Sequence, residues 1–433
     1  MKWRMALALS LLAAGTPVWA DTEDDALKAE IQVLKDRLNR LEGQMASRQS
    51  AGMTGISSIG EKAGPALVEL PSGLQGLGLS GFVDMSYIYN FAEPDAGASR
   101  TNRGRVFDTQ PNGFVPQAAE IVFEKPETDT MPIGFRTDLY FGDDAELIHS
   151  TGLFSSTDAV DLQQAYVTAK APIGNGIDFK LGKFVTLLGA EVIESPANWN
   201  FSRSYMFGYA IPFTHTGVLA SYPLGEWGSV TGGVVNGWGM VDDTNIAKSL
   251  IGNLTLTPMG GVTLAFNGIT GAEHAGENRN DRTVFDFVGT WKALDQLTVM
   301  ANYDYGHESG VEPVVGTAGG GAGFDTGNWQ GLALYGKYDL TPTWSLAGRW
   351  EWFDDKAGVR TGLGTVDLAT GALGPNDVDY FEWTLTSQWA LYEHVLARLE
   401  YRHDMAGERV FFRGAGEFTN RYDTIAAELI YHF

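Results

Sequence analysis

The chain has 433 residues with no cysteine, 54 glycines, 12% aromatic residues and a formal net charge of −23. Without thiols it has no disulfide, zinc–thiolate site, c-type haem attachment or cysteine nucleophile. An acidic balance of this size repels phosphate and argues against nucleic acid as a partner.

At the N-terminus Lys2 and Arg4 precede an apolar run from Met5 to Ala14, followed by Pro17, Val18, Trp19 and Ala20. That order predicts a secretory signal peptide over 1–20, cut after Ala20. An apolar run of about ten residues is too short to cross a bilayer as a helix, and no later stretch approaches the length needed. Losing Lys2 and Arg4 with the signal takes the net charge from −23 to about −25.

Residues 21–45 carry a heptad pattern, with Ile31, Leu38 and Met45 at position a and Leu27, Leu34 and Leu41 at position d. The flanking positions pair Glu30 with Lys35 and Arg37 with Glu42, which favours a parallel homo-oligomeric coiled coil. So short a coil is marginal alone and needs the rest of an oligomer to hold it. The alternative is a single amphipathic helix lying on the mouth of a barrel formed by residues 76–433. Residues 46–75, rich in Gly, Ser and Ala, read as a linker.

From Leu77 the hydrophobic period becomes two. Strands are predicted at about 77–90, 117–125, 133–142, 161–171, 177–184, 215–222, 228–237, 249–256, 261–270, 283–292, 297–307, 328–339, 344–353, 379–391, 394–404 and 422–433. A strand of about eleven residues, rising roughly 3.3 Å each and tilted by about 45°, spans about 25 Å, the height of an outer-membrane apolar band. The connections alternate in length. PETDTMP, PIGNG, PLGEW, TPMGG, KALDQ, LTPT and YE are tight, whereas 91–116, 143–160, 185–214 and their successors are long and polar. Outer-membrane barrels have short periplasmic turns and long outer loops.

The final stretch, YDTIAAELIYHF, ends on Phe433 with Ile425, Ala427, Leu429 and Tyr431 on the same face. The pattern predicts an all-β fold: a transmembrane antiparallel up-and-down β-barrel of about 16 strands over 76–433, preceded by a short α-helical coiled coil. Its place would be the outer membrane of a Gram-negative bacterium, against lipid and lipopolysaccharide, with the coiled coil in the periplasm. Trp344, Leu346, Trp350 and Trp352 would face lipid, and Arg349 and Glu351 the lumen. Charges on the lipid face cost several kcal/mol at the midplane. The same sorting turns Arg136, Lys170, Lys180, Arg398 and Arg402 inward, with Asp84, Glu120, Asp138, Asp178, Glu382, Glu400 and Glu428. These charges nearly cancel. Sixteen strands would enclose an aqueous lumen.

No catalytic signature of the nucleophile-elbow, zincin or P-loop type is present, and the seven histidines show no ligand spacing. No cofactor or metal is predicted. The doublets Asp143–Asp144, Asp242–Asp243 and Asp354–Asp355 read as solvated loop charges, with calcium binding as the alternative.

Two stretches, GKFVTLLGAEVIESPANWNFSRSYMFGYAIPFTHTGV at 182–218 and RVFDTQPNGFVPQAAEIVFEKP at 105–126, resemble the OmpL-like putative β-barrel porin family. The heptads resemble, more loosely, those of trimeric coiled-coil porins. The resemblance implies a passive, non-enzymatic outer-membrane porin that admits small polar or charged solutes and assembles as a homo-oligomer, a trimer. It further implies that the barrel-assembly machinery reads the terminal aromatic, so Phe433 is the expected assembly signal. In trimeric general porins the third outer loop narrows the barrel. By that resemblance 185–214 is the constriction, with Glu191, Glu194, Asn198, Asn200, Arg203 and Tyr205 as its polar set. The alternative is that this loop packs on a neighbouring subunit through Trp199, Phe201 and Phe207. Two other functional classes compete with the porin: an envelope tether gripping the cell wall, and a barrel enzyme with loop-borne catalytic residues.

Overall fold

The computed structural model describes residues 76–95, 100–128, 131–155, 157–310, 326–356, 358–363 and 378–433. The signal peptide at 1–20, the coiled coil at 21–45 and the linker at 46–75 lie outside the described residues.

Period-two alternation builds β1 (Gly78–Asn90), β2 (Gly113–Lys125), β3 (Ile133–Phe141), β4 (Val160–Ala171), β5 (Ile177–Val185) and β6 (Thr214–Pro223). It continues through β7 (Gly228–Val235), β8 (Ser249–Met259), β9 (Val262–Ala272), β10 (Asp281–Lys292) and β11 (Leu297–Ser309). Then come β12 (Thr326–Thr341), β13 (Trp344–Lys356), β14 (Val378–Tyr392), β15 (Val395–Ala406) and, after a hairpin of β16 (Phe411–Arg413) and β17 (Glu417–Thr419), β18 (Arg421–His432). Apart from the hairpin, these sixteen strands close into one antiparallel barrel in which β18 bridges β15 and β1. The hairpin was not expected, because strands of three residues are too short to show a period. Each predicted strand has a counterpart within a few residues.

The seam is made by β1 and β18, from Phe82 opposite His432 to Asn90 opposite Thr424. It ends where Phe433 N donates to Gly81 O at 2.9 Å and Gly81 N donates to Phe433 O at 3.0 Å. Closure leaves no strand edge to be hydrogen-bonded by lipid, which cannot do it. The two faces separate as charge and apolarity require. Trp350 is 42% exposed on the outside while Arg349, its neighbour in sequence, is 2% exposed within. Trp344, Trp383, Leu385, Leu429 and Phe285 are likewise exposed on the outer face, an apolar extent that water does not sustain.

The inside departs from the expected aqueous lumen in one respect. Leu219, Ile251, Ala265, Ile269, Val284 and Val288, on β6 and β8–β10, turn inward and join one buried apolar cluster. That cluster also contains Leu187, Leu188, Ile193, Trp199, Phe207 and Ile211, all from the segment joining β5 to β6. The barrel therefore has an inner core, and a loop supplies much of it.

Candidate channel constriction

The β5–β6 connection, residues 186–213, bends inward because its own side chains satisfy its backbone. Asn198 Oδ1 accepts from Val192 N at 3.0 Å, and its Nδ2 donates to Val192 O at 2.8 Å. Arg203 donates to Phe201 O at 2.7 Å, Ile193 O at 2.6 Å and Val192 O at 3.1 Å. A buried polar backbone left unpaired would cost about 1–3 kcal/mol per group, so these bonds make an inward loop affordable. Gly189 lies at φ +93°, and a Cβ there would stand 2.4 Å from Ile211 Cδ1. A single π-type turn, Met206–Ala210, comes next.

The wall of β10–β15 holds this loop by alternating charge. Glu400 accepts two consecutive backbone N–H groups, Phe201 at 2.7 Å and Ser202 at 3.0 Å. Glu351 does the same for Tyr205 at 2.7 Å and Met206 at 2.6 Å. Between them the arginines donate to carbonyls: Arg349 to Ser202 O at 2.6 Å, Arg402 to Arg203 O at 2.6 Å, and Arg398 to Asn198 O at 2.7 Å and Ser195 O at 3.1 Å. The near end is held by Asp286, which accepts from Gly189 N at 3.1 Å, and by Asn302, which accepts from Ala190 N at 3.2 Å. The far end is held by Trp329 Nε1, donating to Ala210 O at 3.0 Å. The backbone comes so close that a Cβ on Gly331 would meet Met206 Cγ at 2.6 Å.

The arginines are neutralised within the barrel. Arg349 pairs with Glu382 at 2.5 Å and with Glu191 at 2.6 Å, Arg398 with Glu428 at 2.8 Å, and Arg402 with Asp404 at 2.8 Å. Burial of one charge without its partner would cost several kcal/mol, so each of these three arginines sits beside at least one carboxylate, while Glu351 and Glu400 are met by backbone N–H groups.

Of the loop residues singled out in the sequence, five are buried with partners. Glu191 accepts from Ser204 N at 2.7 Å and from Arg349; Asn200 donates to Thr386 Oγ1 at 2.7 Å; the Tyr205 hydroxyl donates to Asp404 at 2.6 Å. Asn198 and Arg203 bond to the loop's own backbone. Glu194 is only half-buried and accepts from Gln163 Nε2 at 2.7 Å. Arg349, Glu351, Arg398, Glu400 and Arg402 stand together against the loop. Arg136 and Lys180 stand apart on β3 and β5: Arg136 pairs with Asp138 at 2.9 Å, and Lys180 Nζ lies 4.4 Å from the centre of the Tyr166 ring.

The first outer loop also enters. Arg105 pairs with Asp404 at 2.6 Å and with Asp108 at 2.5 Å. The Phe107 ring lies 5.6 Å from both Phe207 and Phe213, and Arg203 sits 5.2 Å above it. The two family-like stretches thus meet inside the barrel. The acidic doublets, expected to be solvated, divide. Asp243 pairs with Lys248. Asp355 is buried and accepts from Thr361 N at 2.7 Å. Asp144 is buried, and burial pushes its carboxyl up to about 8 against the opposing pull of Arg203. Asp286, Asn302, Trp329 and Gly331 escaped sequence reasoning, since an inward polar or small residue is ordinary on any barrel strand and nothing in one dimension distinguishes an anchor.

The family model for putative beta-barrel porin-2, OmpL-like, matches residues 76–433. Among curated proteins none matches. Solved structures share the fold. The outer membrane channel DcaP of Acinetobacter baumannii is 15% identical, with 82% of this chain and 97% of that one covered and a TM-score of 0.52. Salmonella typhi OmpF in complex with daunomycin is 11% identical over the same shares, with a TM-score of 0.53. OmpT of Vibrio cholerae, an outer membrane protein solved in a trimer form, is 12% identical, with 82% and 99% covered and a TM-score of 0.51.

Proposed function

This chain belongs to the putative beta-barrel porin-2, OmpL-like family, and from that premise we propose a non-catalytic outer-membrane channel through which small polar or charged solutes diffuse passively. The observation that carries the reading is that the family match spans the entire barrel, 76–433. Purified protein in planar bilayers is expected to give stepwise current increments. Properly folded protein that passes no current would point instead to an envelope tether or to a barrel enzyme.

The 186–213 loop is the constriction in this reading. Glu194 is its partly exposed charge, while Glu191, Asn198, Asn200, Arg203 and Tyr205 keep its shape. Support comes from the loop's bonds to the charged wall of β13–β15. A mild cation preference is expected from the acidic balance of the chain. It should weaken with salt, because the Debye length is about 10 Å at 0.1 M and shrinks above it.

Residues 1–20 are the export signal and 21–45 a periplasmic coiled coil that strengthens a trimer of barrels. Deleting 21–45 is expected to lower the mass of the detergent-solubilised complex from trimer towards monomer. An unchanged trimer would mean that the barrels associate unaided, and a monomer before and after would remove the oligomer. Phe433 acts in insertion by the barrel-assembly machinery, so Phe433→Ala should reduce the amount in the membrane and leave the conductance of inserted channels alone. Normal membrane levels would count against that role.

A further inference from the structure

At the short-turn end of the barrel a cavity of about 230 Å³ lies between the tip of the 186–213 loop and the ends of β1–β3, β15 and β18. Its charged residues are Glu120, Arg136 and Glu194, with Ser80 and His432 also polar, and Phe82, Val122 and Leu396 make an apolar wall. Two of the three charges are already engaged: Arg136 by Asp138 at 2.9 Å, and Glu194 by Gln163 at 2.7 Å. Glu120 differs. It is 5% exposed, and its Oε1 is buried with no hydrogen-bond donor. Behind the cavity, one inward-facing position along β1 from Phe82, the buried Asp84 carboxyl sits beside Ser195 and beside Glu428 of the adjoining β18, which pairs with Arg398 at 2.8 Å.

A buried carboxylate oxygen without a donor, as at Glu120, is costly unless a proton or a cation meets it, and the cavity beside it has room for a cation. Among the described residues no group of three or more His, Asp or Glu is placed to hold a metal ion, so a chelated metal does not fit. A carboxylate facing Phe82, Val122 and Leu396 suits a cation that donates N–H at one end and is apolar at the other. We propose that this cavity is a subsite for a small organic ammonium ion on the solute path, its nitrogen at Glu120 and its alkyl group on the apolar wall. The position on the solute path rests on the channel reading; the binding itself does not.

The probe is n-butylammonium chloride, compared with ammonium chloride at equal concentration and low KCl. Butylammonium is expected to reduce the KCl current of single channels more strongly than ammonium does. Glu120→Gln should raise its half-blocking concentration about tenfold, the effect of losing one charge-assisted bond. Calorimetric titration of butylammonium into the detergent-solubilised full chain reads the same subsite without current. Binding heat that Glu120→Gln removes, in a protein passing no current, would overturn the channel reading and leave the subsite standing. Absent binding heat, heat unchanged in Glu120→Gln, or block by butylammonium no stronger than by ammonium would overturn the subsite. If Glu120→Gln fails to insert, Leu396→Ala in the apolar wall serves as the second variant: it should weaken block by butylammonium and leave block by ammonium alone, and an unchanged half-blocking concentration for butylammonium would overturn the subsite.

Discussion

Glu351→Gln combined with Glu400→Gln is expected to raise single-channel conductance several-fold and to add open-channel noise. Each carboxylate accepts two successive backbone N–H groups of the inward loop at 2.6–3.0 Å. A glutamine offers one acceptor and sets an NH2 group against the second N–H. Hydrogen bonds to charged groups contribute about 1.5–3 kcal/mol each, so losing one at each site shifts the docked loop by about 3–6 kcal/mol. That is at least two orders of magnitude in population, at about 1.4 kcal/mol per tenfold. Asp286, Asn302 and Trp329 still hold the loop at both ends, and Arg349, Arg398 and Arg402 still hold carbonyls in its middle, so the middle of the loop should loosen rather than the whole loop leave. Conductance steps like those of the parent would mean that the loop does not limit the current.

Arg349→Met is the substitution expected to cost most in stability. Its guanidinium bridges Glu382 on β14, Glu191 on the loop and the Ser202 carbonyl, and it is fully enclosed. Removing one partner of a buried pair typically costs about 3–5 kcal/mol, because the charge left behind has no compensation. Glu382 keeps Arg402 at 3.8 Å and a hydrogen bond from Thr384 at 2.5 Å, and Glu191 keeps Ser204, so the lower end of that range is expected. The reading is the urea concentration at which the folded barrel is lost. Arg349→Lys should recover only part of the loss, since an ammonium cannot reproduce the planar fork. Adding Glu191→Gln and Glu382→Gln to Arg349→Met should recover most of it. A triple variant as weak as the single would show that packing, not charge, holds this point.

Much of the barrel was legible in one dimension because a strand's faces are dictated locally. Alternation in TLTSQW and RLEYRH puts Thr386 and Arg398 inside and Leu385 and Leu399 outside wherever those strands lie, and lipid outside makes the sorting strict. The β16–β17 hairpin was too short to have a period. The inward apolar row on β6 and β8–β10 is one side of an ordinary alternation, and nothing in one dimension marks which medium it meets. The loop was less legible still. Its length, prolines and polar residues were visible, but Glu191 and Glu194 look equivalent in sequence. One is buried between Ser204 and Arg349, and the other is half-buried beside Gln163.

What the sequence determined by itself is therefore the set of properties with a short range: the period of two, the alternation of tight and long connections, the charge and the aromatic end. These arise from steric and solvation rules that act on neighbouring residues. The tertiary structure alone decided which residues share an ion pair or an anchor. Arg349 meets Glu191 across 158 positions and Arg105 meets Asp404 across 299. Such pairs depend on where closure of the barrel and the inward bend of 186–213 bring distant strands. A buried charge is stable only beside its opposite, and that complementarity can be read only where the chain has already brought the two together.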